Sequence, residues 1–284
     1  MRISVIVPSF NPPRTHLAAL YASLRAQTHA DFECLLIDDG STDTSAYVLL
    51  EDSRFRVICR EKNAGPAVCR NAGAALAAHE LIFFTDTDCE LHPECLARAV
   101  ANLQRDEISC GDTVTKTETI FGRAVALLGF PGGGAIGFHN VWRVDAEGYT
   151  RSFSSCNLAF RKDTFEKLGR FNETFPVAGG EDTVLARHAV DTGHRIRYDR
   201  TMIVYHVERS GLRSFLQWQW TRGRGNYYIK KHVPEVGGYL RLRLWTFANS
   251  FRAAGPLYAP LVLILLVLSV TWQVLGMRAE ARAQ

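Results

Sequence analysis

The sequence predicts an α/β fold: a doubly wound, mostly parallel sheet covered by helices. Two observations carry that expectation. Short β-branched runs alternate with helically patterned ones through the first 105 residues, an order that favours parallel pairing. Those runs end in loops rich in Asp, Asn, Pro and Gly, where open α/β sheets bind ligands. A third observation lies outside this region: Ala253 to Met277 contains no charged residue. At 284 residues, 47% hydrophobic and 22% charged, the chain can bury one large core or two smaller ones. The net charge of +4 is mild, and no nucleic-acid partner is expected. Seven cysteines, scattered and without a C-x-x-C pair, read as small buried hydrophobes in a reducing compartment. The opening Arg2-Ile-Ser-Val-Ile-Val7 is too short for a signal peptide, so the N-terminal domain is expected to stay where it is made.

In chain order, Ile3 to Val7 is a strand stopped by Pro8-Ser-Phe-Asn-Pro-Pro13. Thr15 to Gln27 sets Leu17, Leu20, Tyr21 and Leu24 at helical spacing, with Thr15 as its cap. Phe32 to Ile37 is the next strand, ending in Asp38-Asp39-Gly40-Ser-Thr-Asp43. A helix, a strand at Phe55 to Cys59, and a loop at Asn63 to Pro66 follow. The alanine-rich Ala67 to Ala78 is helical and leads into Leu81-Ile-Phe-Phe84, an apolar run typical of a strand buried on both faces. That strand runs into Asp86 and Asp88. Burying two carboxylates without a counter-charge costs several kcal/mol or more, so a partner is expected. Hard oxygen ligands suit Mg²⁺ or Mn²⁺, and those ions suit phosphate oxygens. Taken alone, the pair reads equally as an acidic loop capping the next helix through Asp88 or Glu90.

Val5-Ile-Val-Pro-Ser-Phe-Asn11, Leu36-Ile-Asp-Asp-Gly-Ser-Thr-Asp43 and Asp86-Thr-Asp88 resemble the N-terminal half of a family 2 glycosyltransferase. Asn63-Ala-Gly-Pro-Ala-Val-Cys-Arg-Asn-Ala-Gly73 resembles the same family's loop and helix between the second and third motifs. The resemblance implies a GT-A fold, a nucleotide-binding α/β/α sandwich, with a catalytic domain over 1–210. Its nucleotide-sugar half would be 1–105 and its acceptor half 106–210. The implied donor is a nucleotide-diphosphate sugar, a UDP-sugar foremost. Within this frame Asp39 would accept hydrogen bonds from a uracil N–H or a ribose hydroxyl. Asp38 can serve the turn chemistry with Gly40 and Ser41. Pro8 and Ser9 would line the base pocket, and Asn63, Gly65 and Arg70 would flank ribose and diphosphate, with Asp86 beside the donor and the metal. Arg70 reads equally as an exposed helix residue. A dinucleotide-dependent dehydrogenase is excluded, because Pro12-Pro13 stands where its glycines would be.

In the second half, Ser152 to Phe160 reads as a strand and Arg161 to Gly169 as a short helix closed by glycine. Glu181-Asp182 resembles the family's acidic pair, whose Asp would be the general base of an inverting transfer; capping of the following helix is the competing role. His206, after the strand Met202 to Tyr205, is either a third metal ligand beside Asp88 or a structural histidine. Gln219-x-x-Arg222 resembles the Gln-x-x-Arg-Trp motif of membrane-bound members, but Gly223 replaces the aromatic, which counts against processive synthesis. Arg222 would neutralise the departing diphosphate, with Gln219 beside it. Pro131-Gly-Gly-Gly-Ala-Ile-Gly137 lacks the ending of a phosphate-cradling loop and reads as a flap or a linker.

Residues 211–252 read as amphipathic interfacial helices, with aromatic residues interleaved among Arg and Lys. Residues 253–277 can cross a bilayer as a helix, leaving 278–284 as a tail. The flanking Arg and Lys put the N-terminal side in the cytoplasm, where nucleotide sugars are found in bacteria, and so at the inner membrane. The expected protein is a metal-dependent, inverting glycosyltransferase of cell-envelope polysaccharide synthesis, acting on a lipid, lipid-linked or polysaccharide acceptor. The alternatives are a polyprenyl-phosphate sugar synthase and a catalytically silent nucleotide-sugar-binding subunit.

Overall fold

The computed structural model describes residues 1–175, 177–233 and 236–283. Its elements, in order, are β1 (Ile3–Ser9), α1 (Arg14–Arg25), β2 (Phe32–Asp38), a 3₁₀ turn (Ser45–Leu49), β3 (Phe55–Cys59), α2 (Pro66–Leu76), β4 (Leu81–Phe84), β5 (Cys89–Leu91) and α3 (Cys95–Leu103). There follow β6 (Ile108–Lys116), α4 (Ile120–Ala126), a 3₁₀ turn (Phe138–Asn140), β7 (Tyr149–Thr150), β8 (Leu158–Arg161), α5 (Lys162–Lys167), α6 (Glu181–Asp191), β9 (Ile196–Val207), α7 (Leu212–His232) and α8 (Val236–Ala283).

Nine strands among the described residues form one sheet, in the order β3-β2-β1-β4-β8-β6-β9-β5, with β7 beside β9. The first four are parallel, as expected. From β8 onward the sheet is mixed: β8 runs antiparallel to β4 and β6, β6 runs parallel to β9, and β5 runs antiparallel to β9. Strand alternation divides the core between two faces. Ile3, Val5, Val7, Leu81 and Phe83 face α1 and α3, while Ile6, Ile82 and Phe84 face α2, α5 and α6. With helices on both faces, the sheet forms an α/β/α sandwich, as the resemblance implies.

Several boundaries differ from the sequence expectation. Pro13, not Thr15, precedes α1, and no side chain caps it. The expected helix after Asp43 is a single 3₁₀ turn. The strand expected over Ser152 to Phe160 is confined to Leu158–Arg161. Strand β6 and helices α3 and α4 carry no motif and went unmarked in the sequence. Six of the seven cysteines are buried and all are free; only Cys59 is exposed. The segment from Leu127 to Trp142 is neither a loose linker nor an open flap. Ile136 and Phe138 are buried in it, and Phe138 stacks on Tyr198 at 4.8 Å.

The C-terminal helices form a third cluster with α4 and the Leu127–Trp142 segment. Helix α8 breaks at Gly255 (φ 61°), one residue before Pro256, so it has two legs. Arg241–Ala283 is, among the described residues, the one stretch long and apolar enough to cross a membrane. Its second leg buries one face on α7. There Ser269 and Gln273 donate to Gln219 Oε1 at 2.9 and 2.7 Å, while Arg224 and Tyr228 donate to Glu280 at 2.6 and 2.7 Å. Gly223 and Gly276 let the backbones meet: a Cβ on Gly223 would lie 2.2 Å from the Gln273 carbonyl oxygen. The opposite face carries exposed Leu257, Leu263, Ile264, Val267, Val270 and Leu275, a stripe at helical spacing.

Candidate active site

Where the parallel strands end, their loops open onto one cavity of about 920 Å³. It collects, from distant parts of the chain, twelve of the thirteen residues singled out from the sequence: Pro8, Ser9, Asp39, Asn63, Gly65, Arg70, Asp86, Asp88, Glu181, Asp182, His206 and Arg222. Gln219 is the exception. Its side chain is buried between α7 and α8, on hydrogen bonds from Ser269 and Gln273, so it braces the helix pair and does not reach a ligand. Gln219 and Arg222, three residues apart on α7, point one to the seam and the other to the cavity.

On the β1–β2 side, the two neighbouring aspartates have separate tasks. Asp38 accepts from Ser41 N and Oγ and from Tyr47 OH at 2.6 Å, which fixes the turn. Asp39 accepts from Arg60 at 2.8 Å and from the amides of Ala64 and Gly65 at 3.0 and 2.8 Å. It therefore holds the Asn63–Gly65 loop against β2. Ser9 Oγ shares a hydrogen bond with Tyr47 OH at 2.9 Å, so the first two motifs are tied together.

Arg70 is buried, not exposed. From α2 it donates to Asp86 at 2.7 Å and to Glu181 Oε1 at 2.9 Å. Part of the counter-charge that the Asp86–Asp88 pair requires thus comes from the protein. Burial opposes the Arg70 charge, but the two carboxylates outweigh it and raise its pKa. Glu181 Oε2 also accepts from Gly179 N at 2.9 Å, so both its oxygens are engaged.

Asp182 stands in the first turn of α6, after Gly180, whose φ of 112° makes the sharp entry into the helix. It is not the cap: its Oδ1 accepts from the amide of Thr183, the next residue, at 2.7 Å. Burial raises the Asp182 pKa above the ordinary carboxylate range; the Thr183 amide and Arg70 oppose the rise without cancelling it. Asp182 is the more open of the pair and faces the cavity.

Asp88 meets His206 Nε2 at 3.3 Å, because β5 and β9 pair Cys89 with His206. The other ring nitrogen lies 2.7 Å from the Val207 carbonyl oxygen, which only accepts, so Nδ1 carries a proton. Burial opposes the His206 charge, but Asp88 and the other neighbours outweigh it and raise the pKa; when the ring is neutral, Nε2 turns a lone pair to the same space as the Asp88 carboxylate. Ligand atoms of Asp88, Cys89 and His206 lie within 4.8 Å of one another. The oxygen and imidazole donors fit a Mg²⁺ or Mn²⁺ ion; the buried Cys89 thiol, its pKa raised by contact with Cys156 and by burial, is a poor ligand for such a hard ion.

Sequence reasoning missed Arg60, Arg209 and Arg243, each a lone arginine outside any motif. Only the fold brings Arg209 and Arg243 to the cavity and Arg60 to Asp39.

A doubly wound sandwich with acidic pairs and Pro- and Gly-rich loops at its carboxyl edge is built as a ligand-binding α/β protein. The chain belongs to glycosyl transferase family 2, whose model matches residues 4–169. An uncharacterized glycosyltransferase of Nostoc, alr2836, is 35% identical over 113 residues, 38% of this chain and 34% of that protein. WfgD of Escherichia coli is a UDP-Glc:alpha-D-GlcNAc-diphosphoundecaprenol beta-1,3-glucosyltransferase. It is 36% identical over 90 residues, 30% of this chain and 34% of that protein. Each match thus spans about a third of the relative's own length. The mannosyltransferase PcManGT of Pyrobaculum calidifontis, solved with GDP-Man and Mn²⁺, covers 99% of this chain and 87% of its own with a TM-score of 0.64. At 17% identity that likeness concerns the fold.

Proposed function

We propose that this chain is a metal-dependent, inverting glycosyltransferase that moves a sugar from a nucleotide-diphosphate donor, a UDP-sugar foremost, to a lipid or lipid-linked acceptor. The observation that carries the reading is the Arg70 clamp. It places the β4-end carboxylate Asp86 and the α6 pair Glu181–Asp182 on one cavity with the nucleotide loops of β1 and β2. The GDP-Man bound by PcManGT and the UDP-Glc donor and lipid-linked acceptor of WfgD support the donor and acceptor classes.

In this reading Asp39 orders the base and ribose loop, while Pro8, Ser9, Asn63 and Gly65 line the nucleotide pocket. Asp88 and His206 would hold Mg²⁺ or Mn²⁺, which would supply charge neutralisation for the departing diphosphate; Asp86, expected as a further ligand, lies outside their cluster and pairs with Arg70. Arg222 adds a guanidinium on the same side. Asp182 takes the proton of the acceptor hydroxyl as its oxygen attacks the anomeric carbon, and Glu181 holds the turn that aims it. Residues 1–210 then form the catalytic domain, and α7 with the two legs of α8 attaches it to the cytoplasmic face of the inner membrane through the apolar stripe of 253–277.

The test is a thermal-shift panel of UDP- and GDP-sugars with Mn²⁺, followed by transfer assays. A ligand that binds only the folded state raises its stability by mass action, so a cognate donor shifts the melt and an unrelated nucleotide does not. Asp88→Ala should abolish both the metal-dependent shift and turnover while the fold persists. Full activity in excess EDTA would overturn the metal-dependent mechanism.

A further inference from the structure

The ligand atoms around Asp88 outnumber those that a hard ion uses. Asp88 Oδ2 and His206 Nε2 stand 3.3 Å apart, and Cys89 Sγ lies 3.9 Å from Asp88 Oδ1. Cys89 Sγ in turn meets the Cys156 thiol, and Cys89, Cys156 and His206 are all buried. Cys156 also borders the cavity, with Ser154 Oγ at 3.2 Å and Thr113 Oγ1 at 3.5 Å from its sulfur. A carboxylate, an imidazole and two sulfurs therefore converge from three parts of the chain: the start of β5, the end of β9 and the turn before β8. Neither cysteine belongs to a motif, and no C-x-x-C spacing joins them. Only the fold assembles this group.

That set suits a softer ion than the one the transfer needs. Mg²⁺ and Mn²⁺ gain little from sulfur, whereas Zn²⁺ takes carboxylate, imidazole and thiolate together in a tetrahedron. Two ligand atoms on such an ion, each about 2.0–2.3 Å from it, lie roughly 3.4–3.8 Å apart. The Asp88–His206 pair nearly has that spacing already. The ligand atoms of Asp88, Cys89 and His206 all lie within 4.8 Å of one another, so the side chains need close by only about an ångström. Supporting contacts are in place as well. The Val207 carbonyl holds the proton of neutral His206 on Nδ1 and leaves Nε2 as the ligand atom, and the Ser154 and Thr113 hydroxyls can donate to the Cys156 sulfur. Four protein ligands complete a tetrahedron. A catalytic ion keeps one position open for its substrate, and this one would have none.

We propose that Asp88, Cys89, Cys156 and His206 form a Zn²⁺ site overlapping the place of the donor's Mg²⁺ or Mn²⁺, and that Zn²⁺ bound there shuts out the donor diphosphate. The inference rests on the reading of Asp88 and His206 as the ligands of the donor's metal. As Zn²⁺ enters, each of the two thiols loses its proton to solvent and becomes a thiolate ligand. With His206 neutral, three anionic ligands on a divalent ion leave one net negative charge, which repels a diphosphate. Mn²⁺ on the Asp88 carboxylate keeps one net positive charge, which attracts it. Zn²⁺ also stands above Mn²⁺ in the general order of affinity, so a small amount of the one competes with a larger amount of the other.

The experiment uses the full chain in detergent, stripped of metal with EDTA, and Co²⁺ as the spectroscopic stand-in for Zn²⁺. Co²⁺ on a thiolate gives a sulfur-to-metal charge-transfer band in the near ultraviolet, which oxygen and imidazole ligands do not. The band should appear on titration, be bleached by one equivalent of Zn²⁺, and survive an excess of Mg²⁺. Cys89→Ser and Cys156→Ser should each dim the band and weaken Zn²⁺ by about tenfold or more, at least what a lost supporting contact costs at a metal site. Both variants should keep the thermal shift that UDP gives with Mn²⁺, which also shows that they fold. Zn²⁺ should suppress that shift in the parent chain, and in the variants only at correspondingly higher concentration. A Co²⁺ complex of the parent chain without the band overturns the proposal whether or not the variants fold. So does a band of full strength in both variants, which would place the metal on other cysteines such as the exposed Cys59. A Cys89-dependent band with no UDP–Mn²⁺ shift in the parent chain would sink the donor-metal reading and leave the zinc site standing.

Discussion

A guanidinium with 4% side-chain exposure between carboxylates of 28% and 3% sets the division of labour among the acidic groups. Glu181 spends one oxygen on Arg70 and the other on Gly179, so it is an anchor. Asp182, its neighbour, accepts from the Thr183 amide, carries no ion pair like that of Glu181 among the described residues, and lines the cavity. A base works only when ionised. Because burial raises the Asp182 pKa, transfer should fall as pH drops through that raised value. The acid limb of kcat/KM should therefore lie above the ordinary aspartate value of about 3.9. Asp182→Asn should leave the donor-induced thermal shift in place and cost about 10²–10⁴-fold in turnover, the usual range for a lost general base. Near-normal turnover in that variant would move the base elsewhere.

At the scale of elements, the first half of the site was legible because each motif sits at a strand end and spans few residues. Leu81–Phe84, buried at every position, announced its place in the middle of the sheet. What could not be read was orientation. Residues i and i+3 lie only about 60° apart around a helix, so the sequence groups Gln219 with Arg222, and only the packing of α8 on α7 shows that Gln219 is taken up by the seam while Arg222 borders the cavity. Arg70 was ambiguous for a related reason: only the packing of α2 against α6 shows that its charge is buried with partners. The mixed half of the sheet escaped because β6, β8 and β9 pair over long separations that no local pattern records. The α7–α8 seam makes its own prediction. Gly223→Ala gains up to about 1 kcal/mol of helix propensity in an isolated helix. Here the new Cβ would meet the Gln273 backbone at 2.2 Å, and overpacking costs about 1–3 kcal/mol. The clash should win, and the melting temperature should fall; a rise would mean that the two helices are not closely apposed.

Across the whole molecule, the two sandwich cores are buried, and six of the fourteen exposed large apolar residues among those described share the second leg of α8. Leu263→Glu with Val267→Glu places two charges on that stripe while leaving the face toward α7 untouched. Flotation with vesicles should drop sharply in this variant, and transfer to a lipid acceptor should drop with it, whereas hydrolysis of the donor should not. Unchanged flotation would show that the stripe is not the attachment surface. The exposed Arg241, Arg252, Arg278 and Arg282 beside the stripe should add a salt-sensitive part to the binding.

Helix α7 belongs to two structures at once. Through Ser214, Gln217, Trp218, Thr221, Arg222 and Asn226 it forms one side of the cavity, and through Gln219, Gly223 and Glu280's partners Arg224 and Tyr228 it is locked to α8. On the proposed reading of α8 as a membrane anchor, a cleft built into that anchor would not rise or tilt independently of the bilayer. Its reach above the headgroups would then be a fixed length, and the enzyme would act as a ruler, serving acceptors whose free hydroxyl stands at that height.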